Sequence, residues 1–404
     1  MVDLGLGNLG SGNPGQTDRD RSVGQVGAVA IGRNEGDRLV RCLEALVAQL
    51  PDPRKIVYVD SGSTDGSRDR AQERGIAVVT LDTTIPFTAA RARNAGWRYL
   101  LEQHPPGTLA YIQFIDGDCE LDPGWLDRAL AQFATDAQLA VVCGRRRERF
   151  PQATPYNRLA DMEWDTPIGE ASACGGDSLI RVEALQAVEG YDPRLICGEE
   201  PEMCIRLRRL GWKIWRLNGE MTLHDADMTR FSQWWKRSIR GGWAVAEGYD
   251  RYGKAPEAYM VKEHKSGWLW GAIVPVVWLC LGLMTIVLTP ILLPLAVVTA
   301  LLSLLIPAGY GFLGWRIYQY RLARAIGLPM RGCIAFTVCC LRCPRRSAKA
   351  STTSPAGKAN RPPSSNTRDK GCISLWSNPA PNLAQKARSA DFSPPIGKSE
   401  MHPG

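Results

Sequence analysis

The chain has 404 residues, of which 45% are hydrophobic, so it is long enough to bury the core of one or two domains. Its net charge of +8 is concentrated at one end, because ten Lys or Arg and three Asp or Glu follow from Pro344 onward and the remainder is close to neutral. This distribution argues against a nucleic-acid partner, which would require a basic surface on the folded part.

Five apolar runs alternate with amphipathic stretches between residues 23 and 225, after a Gly-rich, polar segment (1–22) that predicts a disordered tail. The predicted strands are GAVAIGRN, KIVYVDSGS, IAVVTLD, LAYIQFIDGD and LAVVCGRR. The first predicted helix, GDRLVRCLEALVAQL, has one apolar face formed by Leu39, Leu43, Leu46 and Leu50. Strands that alternate with helices and are apolar on both faces predict an α/β fold with a doubly wound, mostly parallel sheet. Such sheets bind ligands at the carboxyl ends of their strands.

An uncharged segment from Trp268 to Pro307 is about twice as long as the ~20 residues that one membrane-spanning helix needs. It predicts a transmembrane hairpin within residues 267–313, with spans at about 268–289 and 291–312. Basic residues on both flanks predict that both ends face the cytosol: Lys262, Lys265, Arg316, Arg321 and Arg324. A buried pair of soluble helices is the alternative.

The segments around this hairpin differ in composition. Residues 226–266 interleave tryptophans with Lys236, Arg237 and Arg240, which suits an interfacial amphipathic region or, alternatively, a cleft for a diphosphate. Residues 314–331 form a basic cytosolic flank. Residues 332–404 are rich in Ser, Pro and Lys, and we expect a disordered tail or the product of a shifted reading frame.

Acidic residues follow two of the predicted strands. Asp116 and Asp118 end the strand in FIDGDCEL, and a pair of carboxylates suits Mg²⁺ or Mn²⁺ carrying a diphosphate. A solvated Asp-Gly turn is the alternative. Asp60 ends the strand in VDSGSTDGS, where it could accept a hydrogen bond from a nucleobase or ribose, whereas Asp65 is expected to cap the next helix.

Two further segments carry polar candidates. In GEEPEMCIRLRRLGW, Pro201 fits the first helical position, which makes Glu200 the predicted N-cap, with an apolar stripe of Met203, Leu207 and Leu210. Simple capping of the helix by a carboxylate is the alternative function. His224 follows a predicted strand and is a candidate metal or diphosphate ligand, with a structural histidine as the alternative.

Six segments between residue 26 and about residue 220 resemble, in order, glycosyltransferase family 2, whose members have the GT-A fold. They are AIGRNEG, YVDSGSTDGS, ARARNAGW, FIDGDCELDPGW, ACGGDSLIRVEAL with GYDP, and GEEPEMCIRLRRLGW. The resemblance implies an inverting transferase with a divalent ion, Mn²⁺ or Mg²⁺, and a nucleotide-diphosphate sugar as donor. The family's processive synthases carry Gln-x-x-Arg-Trp, which RFSQWWKRSIRGGW lacks, so transfer of a single sugar is expected.

Matched residue by residue, the resemblance implies roles for eleven residues besides His224. Asp118 would bind the metal. Glu200 would be the general base, with its pKa held low by the helix dipole, and Glu199 would bind an acceptor hydroxyl. The nucleotide sugar would be bound by residues near the nucleoside, ribose, diphosphate and sugar: Asn34, Glu35, Asp60, Arg93, Asp116, Gly175, Gly176 and Asp177.

The predicted protein is therefore a multi-pass enzyme of the cytoplasmic (inner) membrane whose catalytic domain faces the cytosol. It would transfer one sugar to a hydroxyl acceptor in cell-surface polysaccharide or glycolipid synthesis, and a lipid-linked intermediate is among the candidate acceptors. One alternative is a catalytically silent, nucleotide-sugar-binding membrane protein. The other is a sugar nucleotidyltransferase, which should have a Gly-rich phosphate loop where this chain has RNEG.

Overall fold

The computed structural model describes residues 22–325, so the predictions for residues 1–21 and 326–404 lie outside the described residues. The strands within this range are β1 Val26–Gly32, β2 Ile56–Asp60, β3 Ala77–Thr80, β4 Tyr111–Asp116, β5 Cys119–Leu121, β6 Leu139–Glu148, β7 Gly169–Ala171, β8 Ser178–Arg181 and β9 Lys213–His224. The helices of the same domain are α1 Asp37–Gln49, α2 Ser67–Gln72, α3 Ala89–Gln103, α4 Trp125–Phe133, α5 Pro155–Glu163, α6 Val182–Ala187 and α7 Glu199–Arg209. Four more follow: α8 Phe231–Tyr252, α9 Val261–Trp268, α10 Val274–Leu288 and α11 Leu293–Ala325.

One half of the sheet is parallel, in the order β3-β2-β1-β4. Ala28 in β1 pairs with Ile56 of β2 on one side and with Gln113 of β4 on the other. The apolar side chains of β1 and β2 are buried on both faces, as expected for parallel strands covered by helices. Because the strands run in the same direction, the loops after β1, β2 and β4 meet at one edge.

The other half of the sheet is mixed, in the order β8-β6-β9-β5. β8 runs antiparallel to both β4 and β6, and β9 is parallel to β6 but antiparallel to β5 and β7. The predicted α/β fold is confirmed, but the sheet is mixed rather than mostly parallel. The strands that change its direction (β5, β7 and β8) have three or four residues each, which is too short for a recognisable sequence pattern.

Helix α3 packs against β1 and β2 through a close approach at Gly96. A Cβ atom there would lie 2.3 Å from Val29 Cγ1 and 3.0 Å from Val59 Cγ2, so only glycine allows this helix–sheet spacing. The approach brings the buried side chains of Arg93 and Asn94, one turn earlier, into the interior of the domain.

Helix α7 begins two residues earlier than predicted. Gly198, with φ of 83°, is its N-cap, so Glu199 and Glu200 are both helical and the prediction of Glu200 as N-cap is wrong. Pro201 is accommodated as the third helical residue, because none of the first N–H groups of a helix has an intrahelical partner. Met203 and Leu207 are buried as predicted, whereas Leu210, at the C-cap, is 58% exposed.

Two C-terminal helical segments, Val261–Leu288 and Leu293–Ile317, are long and apolar enough to cross a membrane. Their large side chains lie exposed along most of their length, including Trp268, Leu279, Ile286, Leu301 and Leu305. A continuous apolar surface of this kind indicates a nonpolar environment rather than water. The helices are therefore consistent with membrane anchoring by a hairpin.

Candidate active site

The candidate residues gather where β4 and β9 end and α7 begins. Asp116 and Asp118 lie at the end of β4, and His224 is the last residue of β9. The β5–β9 pairing places Cys119 opposite His224, which brings the Asp118 loop beside the imidazole. The site thus joins the parallel half of the sheet to the mixed half.

His224 lies between two carboxylates. Its Nε2 is 3.3 Å from Asp118 Oδ2 and its Nδ1 is 3.3 Å from Oε2 of the buried Glu148. Although burial opposes its protonation, hydrogen bonds to Asp118 and Glu148 raise the pKa of His224 to about 9. The ring of Trp164 packs edge-on against the imidazole at 4.7 Å, which further restricts its orientation.

Asp118 offers a carboxylate oxygen, and His224 offers a ring nitrogen once a divalent ion displaces its proton, so the two could hold such an ion. Together with Cys119 Sγ, these atoms lie within 4.8 Å of one another. Burial raises the pKa of the Cys119 thiol well above its usual range, so it stays neutral and points its hydrogen toward Asp118 Oδ1 at 3.5 Å. An oxygen–nitrogen ligand pair with the remaining positions open fits Mn²⁺ or Mg²⁺ bound jointly with a substrate diphosphate.

Arg146, on β6, is a site residue that the sequence reasoning did not identify. Its Nε donates to Asp177 Oδ2 (2.7 Å) and its Nη2 donates to Asp116 Oδ2 (2.8 Å). Asp116, Cys119 and Asp177 also have the spacing of a metal site, but the guanidinium already neutralises both carboxylates. The run GRRRER at a strand end was the available signal, since alternate residues of a strand point to opposite faces.

Asp177 lies behind Asp116 rather than in an open pocket. Its side chain is fully buried and accepts hydrogen bonds from the Asp116 N–H and the Thr222 hydroxyl as well as from Arg146. The expectation that Asp177 shapes the sugar pocket directly is therefore corrected, because a carboxylate with all these partners supports Asp116 instead.

Arg93 connects Asp116 to the acidic pair at the start of α7. Its Nη2 donates to Asp116 Oδ1 (3.0 Å), and its Nη1 lies 2.7 Å from Glu199 Oε1 and 3.0 Å from Glu200 Oε1. With only 3% of its side chain exposed, Arg93 does not reach out toward a nucleotide as expected. Burial opposes ionisation of Asp116, but the guanidiniums of Arg146 and Arg93 hold its pKa well below its usual range.

The glycines of the loop before β8 differ in their surroundings. A Cβ atom on Gly176 would lie 2.5 Å from Arg93 Nη2 and 3.0 Å from Asp116 Oδ2, so the loop approaches this ion pair as closely as a backbone can. Gly175 has open space where its Cβ would be. Gly176 therefore packs against Arg93 and Asp116, whereas Gly175 faces open space, and their contact with a sugar stays a prediction.

Glu200 has a higher pKa than expected. Burial and the charge of Glu199 raise the pKa of Glu200 to about 7 against the opposing effect of Arg93. The expectation of a low pKa is therefore wrong, because desolvation outweighs the helix dipole at this position. Glu200 is the more accessible of the two glutamates, with 14% of its side chain exposed against 6% for Glu199.

Asn34 and Asp60 hold the loops after β1 and β2 together. Asn34, at φ of 57°, donates its N–H to Ser63 Oγ (2.9 Å) and accepts from the Thr64 N–H (2.8 Å). The buried Asp60 accepts from the N–H groups of Gly62 and Ser63 at 3.0 and 3.1 Å. Its other oxygen, Oδ1, accepts the Tyr58 hydroxyl at 3.2 Å, so both Asp60 oxygens have partners within the protein. A contact of Asp60 with a nucleobase stays a prediction.

Two cavities flank these loops. A cavity of about 170 Å³ lies at the ends of β1, β2 and β3, lined by residues that include Arg33, Ser61, Asp82 and Arg91. A larger, open cavity of about 430 Å³ is lined by residues that include Glu35, Arg38, Arg41 and Asp225. Burial and the nearby Asp118 raise the pKa of Glu35 to about 7, although Arg38 lies 2.8 Å away.

Parts of this chain are similar to known proteins. Residues 29–186 match the family model "Glycosyl transferase family 2". Glycosyltransferase AglE of Haloferax volcanii is 25% identical over 52% of this chain and 69% of its own length. Succinoglycan biosynthesis protein ExoA of Rhizobium meliloti is 27% identical over 45% of this chain and 57% of its own length. The structure of mannosyltransferase PcManGT from Pyrobaculum calidifontis with GDP-Man and Mn²⁺ overlaps 74% of this chain and 80% of its own, at 17% identity and a TM-score of 0.47.

The family match covers β1 to α6, which includes the parallel half of the sheet and the Asp116–Asp118 loop. The mixed α/β sheet is the fold that the sequence resemblance implied. The family model thus identifies residues 29–186 as a glycosyltransferase family 2 domain, and the chain is a glycosyltransferase with a mixed α/β sheet.

Proposed function

We propose that this protein transfers one sugar, with inversion, from a nucleotide-diphosphate sugar to a hydroxyl acceptor in polysaccharide or glycolipid synthesis. The observation that carries this proposal is that Asp116 lies between two functional groups of residues. On one side is the Asp118–His224 pair, and on the other are Glu199 and Glu200, joined to Asp116 by Arg93. A metal-bound leaving group and a base on opposite sides of a sugar are what direct displacement requires.

The Asp118–His224 pair would hold the ion together with the donor diphosphate. When bound, the ion stabilises the charge that develops on the departing nucleoside diphosphate. Glu148 keeps His224 oriented toward Asp118, and Arg146 with Asp177 fixes Asp116, which we assign to the donor ribose. These side chains are therefore held in place before the donor binds, which reduces the cost of positioning it.

Glu200 would remove the proton from the acceptor hydroxyl. Because its pKa is about 7, it is partly ionised at neutral pH and is better matched to a general base than an ordinary carboxylate. Glu199, which is less exposed and closer to Arg93, is assigned to binding an acceptor hydroxyl. The nucleoside would occupy the 170 Å³ cavity, where Asn34 and Asp60 hold the loop backbones rather than the ligand itself.

Helix α8 and the apolar hairpin that follows the catalytic domain support a membrane location for the enzyme. Helix α8, within the proposed interfacial segment 226–266, exposes large apolar side chains at a spacing of four residues: Phe231, Trp235, Ile239 and Trp243. Trp234 instead stacks on Tyr156 of α5 at 6.2 Å, on the side of the catalytic domain. An exposed stripe of this kind, next to the apolar hairpin, suits the headgroup layer of the cytoplasmic membrane. The catalytic domain would then face the cytosol.

A screen of donors tests the proposed activity. Membranes that contain the protein should transfer or hydrolyse one member of a panel of UDP- and GDP-sugars, and EDTA should abolish the reaction until Mn²⁺ or Mg²⁺ is restored. The name of the Rhizobium meliloti relative, a succinoglycan biosynthesis protein, supports an acceptor from polysaccharide synthesis. Because a lipid-linked intermediate is among the candidate acceptors, membrane lipid extracts serve as the first acceptor pool. Absence of turnover with every donor, in a folded protein, would contradict the proposal.

Reporter fusions test the proposed topology. Fusions after Gly267 and after Arg324 should both report cytosol, and a result that places the two on opposite sides of the membrane would contradict the hairpin.

A further inference from the structure

Arg93 forms ion pairs with residues of two different elements. One Nη atom contacts Asp116 at the end of β4, and the other contacts Glu199 and Glu200 at the start of α7. Asp116 and Glu200 are 84 residues apart in the sequence, yet the planar guanidinium group of Arg93 fixes the distance between their carboxylates. Only arginine can do this, since the ammonium of lysine is a single point charge.

We propose that Arg93 is a positioning residue that holds the Glu200 carboxylate in a fixed relation to Asp116 and keeps it available as the base. This inference rests on the proposed function, because it assigns Asp116 to the donor and Glu200 to the acceptor. The guanidinium would thus set the distance between the two substrates' binding groups.

The surroundings of Arg93 fix its plane. Its guanidinium lies over the ring of Tyr191, with 5.6 Å between Cζ and the ring centroid, and Tyr191 packs edge-on against Phe114 of β4. On another side the Gly176 backbone comes too close to admit a Cβ atom. The buried Nε has no hydrogen-bond partner among the described residues, so the contacts to the three carboxylates dominate its orientation.

The groups that face Glu200 come from six segments of the chain. Glu199 on α7 and Asp116 on β4 are anions, and Arg93 on α3 is the cation in direct contact with Glu200. The other titratable groups are Tyr191, Cys174 and Tyr259, whose pKa values are all raised, so they are neutral near pH 7. Without Arg93, Glu200 would face two anions and no adjacent cation.

The pH dependence of turnover tests this role, measured from about pH 5.5 to about pH 9.5 with the UDP- or GDP-sugar that gives most turnover. For the wild-type protein, kcat/KM should rise through about pH 7 as Glu200 ionises. In Arg93→Met, the rise should move up by at least about one pH unit, since an adjacent opposite charge is worth about one to three. At pH 7 the ionised fraction of Glu200 then falls from about a half to about a tenth. The difference in kcat/KM between Arg93→Met and wild type should narrow at high pH, where Glu200 is ionised in both.

Arg98→Met is the matched control, because Arg98 lies on the same helix but is exposed and stacks on Trp97. It should keep the wild-type pH profile. Arg93→Lys keeps the charge but cannot contact all three carboxylates, so its profile should move less while its kcat falls at every pH. If Arg93→Met does not fold, Arg93→Lys decides the question, and wild-type kcat in that variant would overturn the positioning role.

Failure of this inference can be told from failure of the proposed function. Wild-type turnover that is lost in Glu200→Gln supports the function on its own. Suppose that this function holds but Arg93→Met lowers kcat/KM by the same factor at every pH and the rise stays near pH 7. That result would overturn the role of Arg93 and leave the proposed function standing.

Discussion

The two ends of the site are built from different interactions. At the nucleoside end, in the parallel half of the sheet, Asn34 and Asp60 are held by hydrogen bonds to the backbone of neighbouring loops. At the reaction end, where the parallel and mixed halves meet, ion pairs join side chains from β4, β6, α3 and α7. Hydrogen bonds to neutral backbone groups fix the shape of the loops, whereas a network of buried charges also sets the protonation states of its side chains. The difference predicts that mutations at the reaction end act on chemistry and those at the nucleoside end act on folding.

The largest effect should come from Asp118→Asn. Loss of the metal carboxylate removes several kcal/mol of charge stabilisation, so we expect turnover to fall by about 10³-fold or more. Binding of a nucleoside diphosphate should no longer respond to Mn²⁺, as measured by calorimetry with and without the ion. Mn²⁺-dependent binding of wild-type strength would show that Asp118 is not a ligand.

Glu200→Gln should rank next. It keeps the shape of the side chain but removes the base, and such a step contributes about 10²–10⁴-fold, while the donor affinity stays unchanged. In wild-type protein the rate should fall as the pH drops below about 7, because the raised pKa of Glu200 means that the carboxylate is protonated there. The matched variant Glu199→Gln removes a neighbouring anion, so its remaining activity should persist to lower pH. If Glu199→Gln alone shows the large loss, the two roles must be exchanged.

Glu148→Gln tests the support of the metal ligand. Glu148 contacts His224 on the nitrogen opposite Asp118 and also accepts the Phe150 N–H, and glutamine keeps the shape and one acceptor oxygen of this side chain. Loss of a carboxylate behind a metal-ligating histidine commonly costs about 10–100-fold in metal affinity. Titration of turnover with Mn²⁺ measures this shift. Glu163→Gln, whose carboxylate pairs with Arg237 at the domain surface, is the control.

Asp60→Asn should have the smallest effect on turnover and a visible one on stability. The asparagine amide cannot accept as many hydrogen bonds as a carboxylate, so a buried N–H group loses its partner, at a cost of about 1–3 kcal/mol. Thermal unfolding should show the loss, while nucleotide affinity measured below the transition changes little. A large loss of affinity with unchanged stability would return Asp60 to the role expected from the sequence.

The same contrast explains how far the sequence alone could go. The strands β1, β2 and β4 were predictable because each is mostly apolar, and the acidic residues at or just after the ends of β2 and β4 were therefore found. Arg146 and Glu148 were not, because their partners Asp116, Asp177 and His224 lie 30 to 76 residues away and depend on how β6 pairs with β9. The start of α7 was misplaced because Pro201 is compatible with any position of the first turn.

Gly175 and Gly176 are adjacent, but they should tolerate substitution very differently. Alanine at 176 would push into Arg93 and Asp116, and neither partner can move without breaking contacts to other charged groups. A Cβ atom at 175 meets nothing within 4 Å, so alanine or serine there would extend into the open part of the site. In a library randomised at both codons, selection for activity should keep glycine at the second position. The first should remain variable, which makes it the place to search for altered choice of sugar.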